Sequence, residues 1–337
     1  MTCYYQKIFH TERVRIIFKS IGLNGLLMIA TAGGVHAATP ASVTPPNEGT
    51  PMTTTPAKHI FRALGAGRWY PATPADLKNA VAGYLSQAHA PAIPGRIVAA
   101  IAPHAGYAYS GPVAGHTFRA IQMNAKTGTA PETVIILGFS HHSAFEGIAL
   151  LDADAILTPI GETALDRDAM ACLTQSSPRI RYATPPHQGE HSAENEVPFV
   201  QTALPQARLV IGLFGDHDPA SLTAMTHAIL TLAEKKKILL VASTDLLHDP
   251  DYTLVTRSDQ PTLQQITALD ERALLARWQP DNQICCGLMP VLTAIRVAKG
   301  MGCDKGTLLY YRNSGDDHPE SRGSWVVGYG AVVFAIP

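Results

Sequence analysis

Residues 97–107, IVAAIAPHAGY, run six small apolar residues straight into a proline, a histidine and a glycine. A short run that is apolar at every position, not at alternate ones, predicts a strand buried on both faces. The form returns at 133–142, TVIILGFSHH, and at 238–248, ILLVASTDLLH. Ala207–Phe214 is a fourth such run, and Gly306–Arg312 and Trp325–Ala335 read as two later strands. Helical patterns lie between them, at Leu77–Gln87, Pro112–Met123, Glu162–Leu173, Glu194–Ala203, Leu222–Lys235, Gln260–Trp278 and Met289–Lys299. Strands alternating with helices predict an α/β fold, a central, mostly parallel sheet with helices on both faces.

In such a sheet the loops after the strand ends gather on one edge, where ligands bind. Three strands therefore deliver polar residues to one edge: His104 after the first, His141 and His142 after the second, Asp245 and His248 after the third. A lone histidine is usually a satisfied core or surface residue, but three equivalent topological positions point to a site. Imidazole is the commonest metal ligand. Two further segments carry chemistry. In Glu190-His191-Ser192-Ala193-Glu194, Ser192 is expected to cap the following helix, with His191 and Glu194 on one side of its first turn. The bland reading of that segment is capping alone. Cys286, in Cys285-Cys286-Gly287, precedes a helix whose N-terminus favours a thiolate, the alternative being an inert buried thiol. Pattern alone does not separate His217, after Ala207–Phe214, from the site. His116, His187, His227 and His318 read as structural or solvent residues.

The 337 residues are 46% hydrophobic and 16% charged, a composition that folds. A formal net charge of −1, with no basic face or tract beyond Lys235-Lys236-Lys237, gives no footing for nucleic acid. That lysine run is expected at a helix C-terminus. Residues 1–37 read as an export signal: Lys7, Arg13, Arg15 and Lys19, then an apolar stretch Ile21–Val35, then Val35-His36-Ala37 before Ala38. An apolar stretch of about 15 residues is short for a span, which needs about 20, so no stable membrane insertion is expected after cleavage. The protein is thus expected to be exported, periplasmic or secreted. Residues 38–58, rich in Pro and Thr, read as a disordered linker, and 59–337 as one domain. Cys172, Cys285, Cys286 and Cys303 are too few for a disulfide scaffold, and an oxidising compartment makes each free thiol conspicuous.

Taken in order, PHAGYAYSG (103–111), GFSHH (138–142), EHSAENEVPF (190–199), STDLLH (243–248) and CGLMP (286–290) resemble the Memo family, known in microbes as AmmeMemoRadiSam system protein B. AGRWYP at 66–71 is similar to the family's opening motif, and the likeness extends to the closing strands. The resemblance implies a fold related to the class III extradiol dioxygenases, non-haem iron enzymes that cleave aromatic rings. It implies a pocket in which His104, His141 and Cys286 bind a metal. Asp245, His191 and His248 then orient ligands or move protons, and Tyr107, His142, Glu190 and Glu194 line the pocket. The family name points to a functional link with a radical-SAM protein. Phe139 stands where the family carries Pro or a small residue, which is expected to narrow the pocket or repack its wall. Cys285 is an extra thiol able to form a vicinal disulfide with Cys286, and the export signal is unusual for the family.

A His/His/Cys set is soft and favours copper or iron over magnesium or calcium. The expected function is a metal-dependent redox role on an unknown substrate. The alternatives are a non-catalytic module binding a metal, a small molecule or a peptide, and a ring-cleaving dioxygenase, which the missing carboxylate ligand disfavours. Export carries its own test. N-terminal sequencing of the mature protein is expected to begin at Ala38, and a chain beginning at Met1 would refute the signal.

Overall fold

The structure, a computed structural model, describes residues 58–337; the expected signal and all of the linker but Lys58 lie outside the described residues. Among these residues the main sheet has nine strands. Its order is His248–Asp249, Val326–Ile336, Arg96–Ala102, Ile238–Ser243, Thr133–Phe139, Arg208–Phe214, Ile148–Leu150 and Ile180–Tyr182, with Gly306–Asn313 paired outside this path to Val326–Ile336. The four central strands are parallel, as the uniformly apolar runs predict. Val326–Ile336 is antiparallel to Arg96–Ala102, and Ile148–Leu150 is antiparallel to Arg208–Phe214. Every residue from Ile97 to Ala102 and from Ile238 to Ser243 is buried.

Helices flank the sheet in two packed groups. Pro74–Gln87, Tyr107–Asn124 and Val197–Ala203 contact one another, as do Arg167–Ser176, Pro219–Ala233 and Leu288–Gly300 in sequence of packing. The parallel register brings Ala102 beside Ser243 and Leu137 beside Ala242, so the loops carrying His104, His141 and Asp245 leave one edge at one level. No helix of the described residues is long and apolar enough to cross a membrane.

Three local expectations are corrected. The helix expected at Glu162–Leu173 is a strand, Gly161–Ala164, followed by the helix Arg167–Ser176. Gly161, at φ 143°, turns the chain back so that this strand pairs with Ala155–Thr158, and Asp166 caps the helix by accepting from the Ala169 N–H at 3.1 Å. With Ile60–Arg62 these strands make a second, three-stranded sheet that no sequence run announces. The helix expected at Gln260–Trp278 is two, Tyr252–Thr267 and Glu271–Arg277, because Leu269 turns to φ 55° and Asp270 caps the second. Ser192 caps nothing: its hydroxyl donates to Phe139 O at 3.0 Å, and the helix it was expected to start begins at Val197 with Pro198 in its first turn. The lysine run stands, as expected, directly past the C-terminus of Pro219–Ala233, where Lys236 pairs with the buried Asp166.

That ion pair has a pH signature. Burial pushes the Asp166 carboxyl up, but hydrogen bonds from Lys236, Thr133 and the Ala169 N–H outweigh it and hold it below the ordinary carboxylate range. A carboxyl depressed on folding stabilises fully above its unfolded pKa, and that stability is lost as pH falls through the folded value. Asp166→Asn is expected to cost about 2–3 kcal/mol near neutral pH. In urea denaturation, the difference between variant and wild type should shrink towards zero in acid; a difference independent of pH would show that the charge contributes nothing.

Candidate metal centre

One ligand atom each from His104, His141 and Cys286 falls within 4.8 Å of the others, although the residues come from three separate strand–helix units. Cys286 Sγ is 3.4 Å from His104 Nε2. The imidazole rings of His104 and His141 lie 5.3 Å apart at nearly right angles.

Each residue is held from behind. Glu190 accepts from the His141 backbone N–H at 2.5 Å and meets His141 Nδ1 at 3.0 Å, so the opposite ring nitrogen, Nε2, is turned towards Cys286. The same carboxylate accepts from the backbone N–H groups of His191 at 2.9 Å and Ser192 at 2.8 Å. His104 Nδ1 meets Ser243 Oγ at 2.9 Å, again leaving Nε2 towards the centre. The Cys286 sulfur accepts from the Asp245 N–H at 3.3 Å.

Two glycines permit this convergence by close approach. A Cβ on Gly287 would lie 2.5 Å from Ser243 O, so only glycine lets the helix Leu288–Gly300 carry Cys286 onto the strand end. A Cβ on Gly138 would lie 2.3 Å from Ser192 Oγ, where the His141 strand meets the Glu190 segment.

The charges are mutually supporting. Burial pushes the Cys286 thiol up, but the charge and hydrogen bonding of His104 and His141 outweigh it and bring it down to about 6. Burial opposes a charge on His141, yet hydrogen bonds to Cys286 and Glu190 raise its pKa well above the usual imidazole value. Glu190, although burial opposes its charge, is held below the ordinary carboxylate range by His141. Without metal, the site thus holds a thiolate and a carboxylate around an imidazolium.

His191 forms a third imidazole, 5.3 Å from His104 and 5.0 Å from His141 between ring centres. It stacks on Trp69 at 3.9 Å. Burial and repulsion from His104 and His141 lower its pKa to about 2, so it is neutral. Its Nδ1 makes no hydrogen bond, lying 3.5 Å from Glu190 Oε1, and His141, Glu190 and His191 form a second donor set overlapping the first.

Asp245 was expected to orient a ring through its carboxylate. Instead its Oδ1 accepts from the backbone N–H groups of His104 at 2.9 Å and Ala105 at 3.3 Å, because the loop after the strand wraps its free amides around it. Its Oδ2 stands 3.9 Å from His104 Nε2. Burial raises the Asp245 pKa and lowers that of His248, whose buried Nε2 has no hydrogen-bond partner.

Other expected pocket residues lie elsewhere. Glu194 turns away from His191 and accepts from the Leu64 and Gly65 N–H groups, at 2.9 and 2.7 Å, tying down the 64–65 segment. Tyr107 is buried against Tyr84 and Phe199 and donates to Asn195 O at 2.6 Å. His142 is exposed. Phe139 packs its ring on His217 at 4.3 Å, and His217 packs on Trp278, which places both in an aromatic cluster outside the donor set. Cys285 and Cys286 are both free thiols; Cys285 is directed to Thr244 and is pushed up by burial.

Sequence reading missed Ser243, Asn195, Glu196 and Trp69. Asn195 donates from its amide to His104 O at 2.7 Å, latching the Glu190–Glu196 segment to the His104 loop. Ser243 read as the last residue of a strand, and the periodicity carries no sign that it touches His104.

The arrangement is that of an α/β protein with a soft N,N,S donor set at the carboxyl edge of its sheet. The description Memo-like protein matches residues 62–333, and the chain belongs to the Memo family. A MEMO1 family protein of Methanopyrus kandleri is 33% identical over 279 residues, covering 80% of this chain and 96% of that protein. One from Aeropyrum pernix is 30% identical over 79% of this chain and 96% of its own length. An uncharacterized protein of Escherichia coli K12, solved as a crystal structure, aligns with 70% of this chain and 99% of its own at 13% identity and a TM-score of 0.44.

The donor geometry makes a direct prediction. His104→Ala, His141→Ala and Cys286→Ala are each expected to lose most bound metal under a chelator challenge, whereas His227→Ala, outside both donor sets, should behave as wild type. Equal retention by all four, measured by elemental analysis, would show that the metal, if bound, sits elsewhere.

Proposed function

We propose that the chain is an exported, metal-dependent redox protein that binds one copper or iron ion through His104 Nε2, His141 Nε2 and Cys286 Sγ. The observation that carries this reading is the anchoring of both imidazoles through Nδ1 beside a thiolate. Two neutral nitrogens and a thiolate are the donor chemistry of copper and iron sites, and such a set is poorly matched to magnesium or calcium. A bound ion would supply electron transfer and an open coordination position.

The chain's own residues do the rest. Glu190 and Ser243 hold the two rings so that no rotation is needed on binding. To serve as a ligand His141 would have to release the proton that Cys286 and Glu190 favour on its imidazole. His191, neutral, unpaired at Nδ1 and stacked on Trp69, stands beside the two ligand rings as an uncharged polar wall of the site, too weakly basic to hold a proton there. Asp245 fixes the backbone on which His104 stands and keeps a carboxylate oxygen at the edge of the site. The substrate is a small molecule or a peptide, and the family name supports a partnership with a radical-SAM protein.

Ring cleavage is a second reading, favoured by Asp245 Oδ2 near His104, since a nearby carboxylate restores part of a two-histidine, one-carboxylate set. Elemental analysis of protein purified from its native compartment without oxygen is expected to return about one copper or iron per chain. Oxygen uptake with catechols separates the readings: none is expected under the redox reading, and uptake would favour cleavage. A chain free of metal would leave only a binding module. Asp245→Asn keeps volume and an acceptor oxygen, so circular dichroism should not change, while metal affinity is expected to fall about 10–100-fold.

A further inference from the structure

Behind His104, the Ser243 hydroxyl that anchors its ring also meets Ser192 and Glu196 in a buried three-way contact. Ser243 Oγ is 2.5 Å from the backbone carbonyl of Ser192, 2.8 Å from Glu196 Oε1 and 2.9 Å from His104 Nδ1. Neither Ser243 nor Glu196 has meaningful access to solvent.

A hydroxyl has one proton and two lone pairs. The Ser192 carbonyl can only accept, and two oxygens at 2.5 Å without a proton between them would repel. The Ser243 proton therefore lies on the bond to Ser192 O. Both remaining contacts must then be donated to Ser243 Oγ. His104 supplies an N–H from Nδ1. Glu196 can supply a donor only as a carboxylic acid.

A second observation agrees. Glu196 Oε2 is buried without any hydrogen-bond partner. An ionised carboxylate with one oxygen bare in a dry interior is costly, whereas the carbonyl oxygen of a neutral acid tolerates it far better. The charged neighbour that acts on Glu196 is Asp245, itself an acid; Tyr107 and Glu194 are nearby on packed elements, and neither offers a positive charge.

We propose that Ser243 is the positioning residue of the centre, fixing His104 in its Nδ1–H form, and that Glu196 completes Ser243 as an uncharged carboxylic acid. The consequence is electrostatic as well as geometric. His104 offers its Nε2 lone pair to the centre, and no fixed negative charge stands behind it. The role of Ser243 rests on His104 being a ligand, as proposed above; the protonation of Glu196 does not.

The test uses the full chain, with and without added copper(I) or iron(II). Nitrogen-15 spectra of histidine-labelled protein, with His104 assigned by its loss in His104→Ala, are expected to show Nδ1 protonated in the wild type, without metal and with it. Ser243→Ala should give a tautomer mixture and a metal affinity about 10–100-fold weaker. Infrared difference spectra of wild type against Glu196→Gln should show the carbonyl band of a protonated carboxylic acid at neutral pH, shifting in heavy water. Because an amide replaces a neutral donor with a neutral donor, Glu196→Gln should leave metal affinity within about a factor of 2, well inside the loss expected when an orienting partner is removed.

A missing acid band, a His104 without a proton on Nδ1, or a large loss of affinity in Glu196→Gln would each overturn the assignment. Wild-type protein that binds neither metal, yet keeps the acid band and the Nδ1–H tautomer, would overturn the metal reading and leave the hydrogen-bond assignment standing.

Discussion

The structure depends first on the parallel register of its central strands. Arg96–Ala102, Ile238–Ser243 and Thr133–Phe139 end at neighbouring levels because their backbone ladders leave no slack: Ala102 sits beside Ser243, and Leu137 beside Ala242. A slip of one residue would turn every side chain to the other face, and these strands are buried on both. The loops that follow therefore leave the sheet together. His104, His141 and the Asp245 loop reach one region as a consequence of pairing, before any side chain interacts.

Onto that edge a single carboxylate adds order. Glu190 gathers two N–H groups of its own segment and both the backbone and the ring of His141. A buried carboxylate stripped of water is costly until such donors replace the solvent, and four of them do so here. The cost and its repayment lie in one place, so the segment 190–196 is tied to the loop at 140–141 while the ring of His141 is turned. Asn195 and Ser243 make the equivalent connection to His104. The three donor atoms are thus held by contacts on the side away from the centre, which turns them towards one another.

Membership of the Memo family fits this architecture, since three of the five ordered motifs fall where central strands end, one lies on the segment that ties down His141, and one opens the helix that carries Cys286. The differences within the chain are equally physical. Phe139 does not close over the donor set, because its ring turns to His217 and leaves His141 to face Glu190. Cys285, beside Cys286 in sequence, is directed to Thr244 and burial keeps it protonated, while its neighbour is drawn to two imidazoles and ionises. Adjacent residues of one chain alternate in direction, and here that alternation separates an inert thiol from a reactive one.

The sequence by itself determined the α/β layering, the strands of the central sheet and the three edge-directed segments, because burial on both faces writes itself as uninterrupted apolar runs. Ile238–Ser243 was legible to the residue, and the donor residues His104, His141 and Cys286 stood out by their position after strands or before a helix. What the tertiary structure alone decided are the pairings between distant segments. The strand Gly161–Ala164 looks helical in isolation and is extended only because Ala155–Thr158 lies beside it. Glu194 shares a motif with His191 and yet serves the 64–65 segment, Asp245 binds amides where a ring was expected, and Ser243 became a partner of His104 across 139 residues. Periodicity records which face of an element is buried. It carries no record of which polar atom on another element will be waiting there, and that is set by packing.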